Sequence, residues 1–476
     1  MITTIARKEF VEIWRDGRFR RAAAIVLMLL LAALAMGYKH FRDGRQEQAV
    51  ARAFDEQQWL GQGERNPHSA AHFGKYAFKP LTPLSFIDRG VNSYLGIAVW
   101  LEAHYQNPFR YRPAEDSTAV QRFGELTASV VLQLLVPLLI ILLAFSTFAG
   151  ERESGTLRQL LSAGASAKTL ASGKALGVTG ALALLLVPAT VIGVAALALA
   201  ATGSSADGLG SSAGRFALMV FSYLLYFGTF ACVAIAVSAM ARTARMALLV
   251  LFAFWIINCL VVPRAAADAA QLLYPAPSHT EFWEQVHKDM REGINGHNPS
   301  DKRIEDAKKL LLARYQVEKV EDLPINFAGW ALQQGEEYGN KVFDKRYGEL
   351  WEIFERQNRV HDLGAIFAPL LAVRSLSMSL AGTDFNHHRH FATQAEEYRR
   401  LVNRMLNENM MRNAGKKDFQ YTANQTLWQS IPPFYYQMPS TAWALQTQKL
   451  PLALLLLWAL GAIGLAALAV GNLKVE

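Results

Sequence analysis

The sequence predicts an α-helical polytopic membrane protein, with about six transmembrane helices and a mainly α extracytoplasmic domain between the last two. Three observations carry this reading. The chain of 476 residues is 52% hydrophobic and only 18% charged, against ~25% charged in a typical soluble domain. Its apolar residues are gathered in blocks rather than spread evenly. Several blocks approach or exceed the ~20 apolar residues that cross roughly 30 Å of hydrocarbon at 1.5 Å rise per residue.

In chain order, residues 1–38 read as an amphipathic helix followed by the first span. Ile5, Phe10, Val11 and Trp14 alternate with Arg7, Lys8, Glu9, Glu12, Arg15 and Asp16, as in a helix lying along a membrane surface. The apolar run that follows ends in Ala33-Leu34-Ala35, which resembles a signal-peptide cleavage site; the long preceding helix favours an uncleaved anchor. Spans are expected at Ala22–Tyr38, Leu126–Phe148, Ala175–Ala201, Phe216–Ser238, Met246–Val262 and Pro451–Val470. The first and fifth are short enough to require little tilt.

Basic residues set the orientation. Arg7, Lys8, Arg15, Arg18, Arg20 and Arg21 precede the first span; Arg152, Arg158, Lys168 and Lys174 fill the loop after the second; Arg242 and Arg245 fill the loop after the fourth. The loop from Thr202 to Gly214 has none. By the positive-inside rule both termini are cytoplasmic. The formal charge of +8 is thus explained by the membrane, with no nucleic-acid partner. Cys232 and Cys259 lie in spans at depths roughly 10 Å apart at 1.5 Å rise, beyond the ~7 Å between Cα atoms that a disulfide allows.

This orientation divides the chain into residues 1–38, a first extracytoplasmic segment at 39–125, spans two to five at 126–263 with a cytoplasmic loop at 149–174, a large extracytoplasmic domain at 264–448, and a last span with a short tail at 449–476. Within the large domain, Glu281–Arg291, Asp301–Tyr315, Glu336–Val360 and Phe391–Met411 carry apolar residues at helical spacing without internal proline. The aromatic-rich stretch from Asp418 to Gln448 reads as irregular. Gly364–Gly382 is apolar, but Arg374 near its middle would cost ~2.5–3.5 kcal/mol in a span, so it reads as a buried or interfacial helix. Leu95–Leu101 is too short to span and reads as resting on the outer leaflet.

The loop Gly150–Lys174 carries the most specific pattern. It has Glu151 and Glu153, then Gly155-Thr156-Leu157, Leu160-Leu161, and Gly173-Lys174 at the opening of the third span. In this it resembles the permease subunits of ABC-2-type ATP-binding-cassette transporters, although Gly164-Ala165-Ser166 stands where that family often has Pro-Val-Ser. The resemblance implies that Glu151, Glu153, Gly155, Thr156, Leu157, Leu160 and Leu161 form a short helix pressed into a cleft on a cytoplasmic ATPase. Gly155 would break the span, Thr156 would cap the helix, and the leucines would supply the apolar contact face. It also implies two copies of the ATPase, which carries ATP and Mg, and a second permease, identical or homologous, in a bacterial-type inner membrane. The chain has no GxxxxGK[ST] loop of its own, so ATP hydrolysis is expected in another polypeptide. Ser377-Met378, Ala381-Gly382-Thr383-Asp384 and the HHRHF and EEYRR runs that follow resemble a subgroup of these permeases with large outer insertions.

Asp384, His387, His388 and His390 share helical faces in twos and threes and offer a donor set suited to zinc or copper. The competing reading is that Asp384 or Thr383 caps the helix that begins there, and the absence of HExxH, CxxC or a second dense cluster favours it. The sequence therefore points to a permease subunit coupling ATP hydrolysis by a separate ATPase to substrate movement, usually export. Two alternatives are an ATP-driven mechanical transmitter acting on an extracytoplasmic partner, and a membrane-anchored metal-dependent enzyme.

Overall fold

A computed structural model describes residues 1–111, 125–201, 209–294 and 300–473. Most of the predicted Thr202–Gly214 loop, at 202–208, lies outside the described residues. Among these, six helices are long and apolar enough to cross a membrane: Phe19–Leu60, Ala128–Glu153, Ala167–Ala200, Gly210–Met240, Ala244–Leu273 and Lys449–Gly471. Every predicted span is among them. The first and fifth, however, are long helices of 42 and 30 residues, not short ones. Beyond Tyr38 the residues turn polar without turning away from helix: Lys39 pairs with Asp43 one turn on at 2.7 Å, and no proline intervenes before Gly61. The first helix therefore rises out of the bilayer, about 63 Å long at 1.5 Å per residue. Its buried stripe, Phe19, Val26, Leu30, Ala33, Leu34 and Phe41, follows the helical period. The cleavage-like Ala33-Leu34-Ala35 is thus a packed mid-helix turn.

The second and fifth spans each contain a π-helical turn, Val131–Leu135 and Ile257–Val261, and each turn precedes a proline, Pro137 and Pro263. A proline has no N–H and crowds the carbonyl four residues back, and a wider turn relieves both. Gly364–Gly382 is no span: it holds the buried helix Pro369–Ala381, which packs against the fourth and sixth spans. Arg374 donates from Nε to Gln133 Oε1 at 3.2 Å, so its charge ends on a polar group of the second span. Gln133 Nε2 donates to the Tyr223 hydroxyl at 3.1 Å, which lies 3.0 Å from Ser377 Oγ. Both cysteines are free.

The two outer segments, expected as separate regions, fold into one head. Residues Lys75–Phe78 and Ala98–Leu101 form an antiparallel two-stranded ribbon. The stretch Leu95–Leu101 is therefore half strand, paired with its neighbour rather than laid on lipid. Trp59 at the top of the first helix packs edge-on against Trp428 of the second segment, with centroids 5.9 Å apart. Each indole donates to a backbone carbonyl on the other's side: Trp59 to Trp428 at 3.0 Å and Trp428 to Gly63 at 2.9 Å. The predicted outer helices are present, as His279–Glu292, Ser300–Tyr315, Phe327–Gly364 and Phe385–Asn413. Phe434 and Tyr436, from the stretch read as irregular, pack against Phe391 and so belong to the core of the head.

Candidate functional site

The segment Gly150–Lys174 lies at the end of the bundle opposite the head. The second span ends in the helix Ala149–Glu153, and Gly155, at φ +74°, turns the chain into the short helix Thr156–Ser162. A positive φ of this size favours glycine. Gly155 itself is the N-cap, and Thr156 is the first helical residue; its hydroxyl donates back to the Glu151 carbonyl at 3.3 Å. Thr156 therefore ties the corner rather than capping the helix as expected. The helix ends at Ser162, with Gly164 at φ +90°, and Ser166 Oγ accepts from Thr169 N at 3.1 Å to open the third span.

The leucines face inward. Leu157 is 3% exposed and belongs to the core of the membrane bundle, with Leu160 and Leu161 packed partly against it. Leu157 does not form the outward contact face expected of it, because a short helix with one apolar side buries that side against the nearest apolar surface, here its own bundle; Leu160 and Leu161 remain half-buried. The face left exposed is Glu153, Arg158, Gln159 and Ser162.

Behind the helix lies a buried charge network. Lys174 is 2% exposed; its ammonium sits 3.0 Å from Glu9 Oε2 and 2.9 Å from Glu151 Oε1. Lys8 adds a 3.0 Å contact to Glu151. Burial raises the Glu9 pKa, and Lys174 opposes the rise. The N-terminal helix Ile2–Arg15 is thereby joined to the end of the second span and the start of the third. It approaches closely because Gly173 and Gly177 face it: a Cβ at Gly173 would lie 2.6 Å from Ile5 Cβ, and one at Gly177 would lie 2.6 Å from Glu9 Cβ. Arg152 donates to the carbonyls of Ala239 (2.7 Å) and Ala241 (2.5 Å), placing a cation where the fourth span's last carbonyls need partners. Of these groups, the sequence had marked Glu151, Gly173 and Lys174. It missed Glu9 and Gly177, although the Gly-xxx-Gly spacing of 173 and 177 was a legible sign of close helix approach.

In the head, Ala381-Gly382-Thr383-Asp384 forms a joint. Gly382, at φ +73°, ends the helix Pro369–Ala381. The Ala381 and Thr383 carbonyls accept from Thr82 Oγ1 (2.5 Å) and Val91 N (2.9 Å) of the first outer segment. Ser377 donates to Asp88 Oδ2 at 2.6 Å. Asp384 accepts from the His387 backbone N–H at 2.9 Å and so caps Phe385–Asn413. The same oxygen lies 2.5 Å from His387 Nδ1, and the other accepts from Gln448 at 3.3 Å. Burial would raise the Asp384 pKa, but His387 and the bonds from it outweigh this and hold it below the usual range. His390 turns to the Tyr436 hydroxyl at 3.2 Å and His388 lies against Phe109. Asp384 and His387 are thus brought together, while His388 and His390 point to other partners.

Two further features complete the head. Arg399 is 1% exposed and bridges Glu336 (3.1 Å), Glu396 (2.8 Å) and Asn340 (2.6 Å). A cavity of about 770 Å³ opens beside the outer half of the first helix, lined among others by Phe41, Phe54, Phe78, Leu81 and Trp100. Its size falls within the ~300–1,000 Å³ range of small-molecule sites. Asp55 borders it and accepts from the Tyr76 backbone N–H at 3.0 Å.

A multi-pass helical bundle with a folded head at one end and, at the other, a short helix braced by buried charges is the architecture of a polytopic membrane protein. Residues 98–258, covering the second to fourth spans and the first half of the fifth, match the family described as ABC-2 family transporter protein. The resemblance read from Glu151 to Lys174 is thereby borne out. Residues 279–437 match a domain of unknown function, DUF3526, which accounts for most of the second outer segment. A search of curated proteins gives no match.

Proposed function

We propose that the chain is the permease subunit of an ABC-2-type transporter in a bacterial-type inner membrane. It pairs with a second permease and takes its energy from two copies of a cytoplasmic ATPase. The observation that carries this reading is the braced helix Thr156–Ser162, whose polar face of Glu153, Arg158, Gln159 and Ser162 is exposed while Leu157 is buried. Closure of the ATPase pair presses on that face. Because Glu151 and Lys174 link the helix to the N-terminal helix and the third span, the push moves them together, and the spans carry it to the outer head. The direction is export, and the head selects cargo, with the apolar-lined cavity beside the first helix as its seat.

The test is copurification of the ATPase and ATP turnover for wild type, Arg158→Glu and Leu157→Asp, each with membrane insertion measured. The exposed Arg158→Glu should insert normally and lose the ATPase, because it reverses the charge on the proposed contact face and sets a carboxylate against the acidic groups that an arginine would meet. Leu157→Asp should misplace the helix through a buried unpaired charge. Normal ATPase recovery and turnover for both variants would refute the coupling role.

A further inference from the structure

The head holds a second group of imidazoles, remote from Asp384 in sequence. His68 and His72 stand one turn apart on the helix Pro67–Phe73, and His104 follows the strand Ala98–Leu101. One ring nitrogen of each lies within 4.8 Å of the others. Nε2 of His68 and Nε2 of His72 are 3.2 Å apart. Two nitrogens bound at ~2.0–2.1 Å in a tetrahedral shell lie roughly 3.3 Å apart, so this pair already has the spacing of two ligands on one ion.

His104 is held from behind. Its Nδ1 lies 2.7 Å from Glu336 Oε1, and its backbone N–H donates to the same oxygen at 2.7 Å. The other oxygen of Glu336 is fixed by Arg399 at 3.1 Å and Asn403 at 3.2 Å. A carboxylate on one ring nitrogen sets the tautomer, orients the ring and leaves Nε2 as the ligand, which is the usual outer partner of a metal-bound histidine. His104 is also kept at φ +68°, a left-handed conformation that a residue with a side chain occupies at a cost. A hydrogen bond between His68 and His72 would account for that pair alone, not for the third ring or its carboxylate.

We propose that His68, His72 and His104 bind one divalent transition-metal ion of the zinc or copper(II) class, with a fourth position open to solvent beside the exposed His72. Three imidazoles suit these ions, whereas magnesium and calcium take oxygen ligands. The ion fastens the helix Pro67–Phe73 of the first outer segment, through His104 and Glu336, to the long helix Phe327–Gly364 of the second. The site is independent of any coupling to an ATPase.

The experiment uses the full chain purified in detergent, stripped with a chelator and titrated with zinc alone; cobalt(II) replaces zinc as an optical probe of coordination. Wild type should bind one zinc per chain, give the intense visible bands of four-coordinate cobalt, and melt at a higher temperature with zinc. His72→Ala, at an exposed position, should melt like metal-free wild type and bind zinc about 100-fold or more weakly. Glu336→Gln should weaken binding ~10–100-fold, the usual effect of an outer partner. His387→Ala/His390→Ala should bind like wild type. No bound zinc in wild type, or equal affinity and cobalt spectrum in His72→Ala and His68→Ala, would overturn the proposal. Loss of the ion in His387→Ala/His390→Ala but not in His72→Ala would move the site to Asp384 and its neighbours, overturning it as well.

Discussion

Replacing Lys174 with Met tests the charge network that joins the N-terminal helix to the second and third spans. Lys174 is 2% exposed and holds Glu9 at 3.0 Å and Glu151 at 2.9 Å. Methionine keeps much of the volume and removes the charge, leaving Glu9 facing the acidic Glu151 and Glu12; among the described residues Glu151 keeps Lys8, at 3.0 Å. Breaking a buried ion pair by deleting one partner costs ~3–5 kcal/mol, a factor of roughly 10²–10³ at ~1.4 kcal/mol per decade. The N-terminal helix, docked on the third span through this network and a few apolar side chains, should then undock for a measurable fraction of the time. A single cysteine at Ile13, which is 9% exposed, placed in a background lacking Cys232 and Cys259, reports this by maleimide labelling in native membranes. Labelling should be about 100-fold faster in Lys174→Met than with Lys174 in place. Adding Glu9→Gln to Lys174→Met should recover part of the protection, because the stranded carboxylate is gone. Equal labelling with and without Lys174, or no recovery in the double variant, would refute the argument that these charges hold the junction together.

Gly177→Val should also undock the N-terminal helix, since even a Cβ there would lie 2.6 Å from Glu9 Cβ and 3.0 Å from the Ala6 carbonyl; the same labelling assay reads it, and Gly461→Val, with nothing near its Cβ, serves as the control. Gly90→Ala should loosen the joint of the head by at least the ~1–3 kcal/mol of a strained backbone, because Gly90 is at φ +48° and a Cβ would lie 2.4 Å from the Thr383 carbonyl; faster proteolysis of the head in the purified full chain is the readout. Asp289 ties the helix His279–Glu292 to Arg346 at 2.8 Å and Lys345 at 3.3 Å. Burial pushes its pKa up, but these cations outweigh it and hold the carboxyl below the usual range. A depressed carboxyl pKa stabilises the folded state above the unfolded value of ~3.9 and the contribution is lost as pH falls through the folded pKa. The protection factor of that helix, its hydrogen exchange divided into the intrinsic rate at the same pH, should therefore fall on acidification below about pH 4 in wild type, and Asp289→Asn should flatten the dependence.

Local chemistry determined the membrane part of this protein. Apolar runs long enough to cross a bilayer must be helical there, since no water satisfies an exposed backbone, and basic residues choose their side. The six spans, the helical outer insertions and the Glu151–Lys174 pattern were therefore legible in the sequence. Arg374 likewise ruled Gly364–Gly382 out as a span, and the structure gives that residue a partner in Gln133.

What only the tertiary structure decided was which faces meet. The amphipathic pattern of Thr156–Ser162 is the same whether its leucines contact a partner or the chain's own bundle, and only the fold shows that Leu157 packs against the bundle core. Glu9 and Lys174 are 165 residues apart, as far from mutual recognition in a linear pattern as His104 and Glu336, 232 apart. Long-range pairs of this kind are set by the fold, because a carboxylate or an imidazole advertises its chemistry in the sequence but not its partner. The dense HHRHF run drew attention to His387 and His390, while the convergent imidazoles are His68, His72 and His104: ligand geometry depends on distances in space, and proximity along the chain is only one way of achieving them.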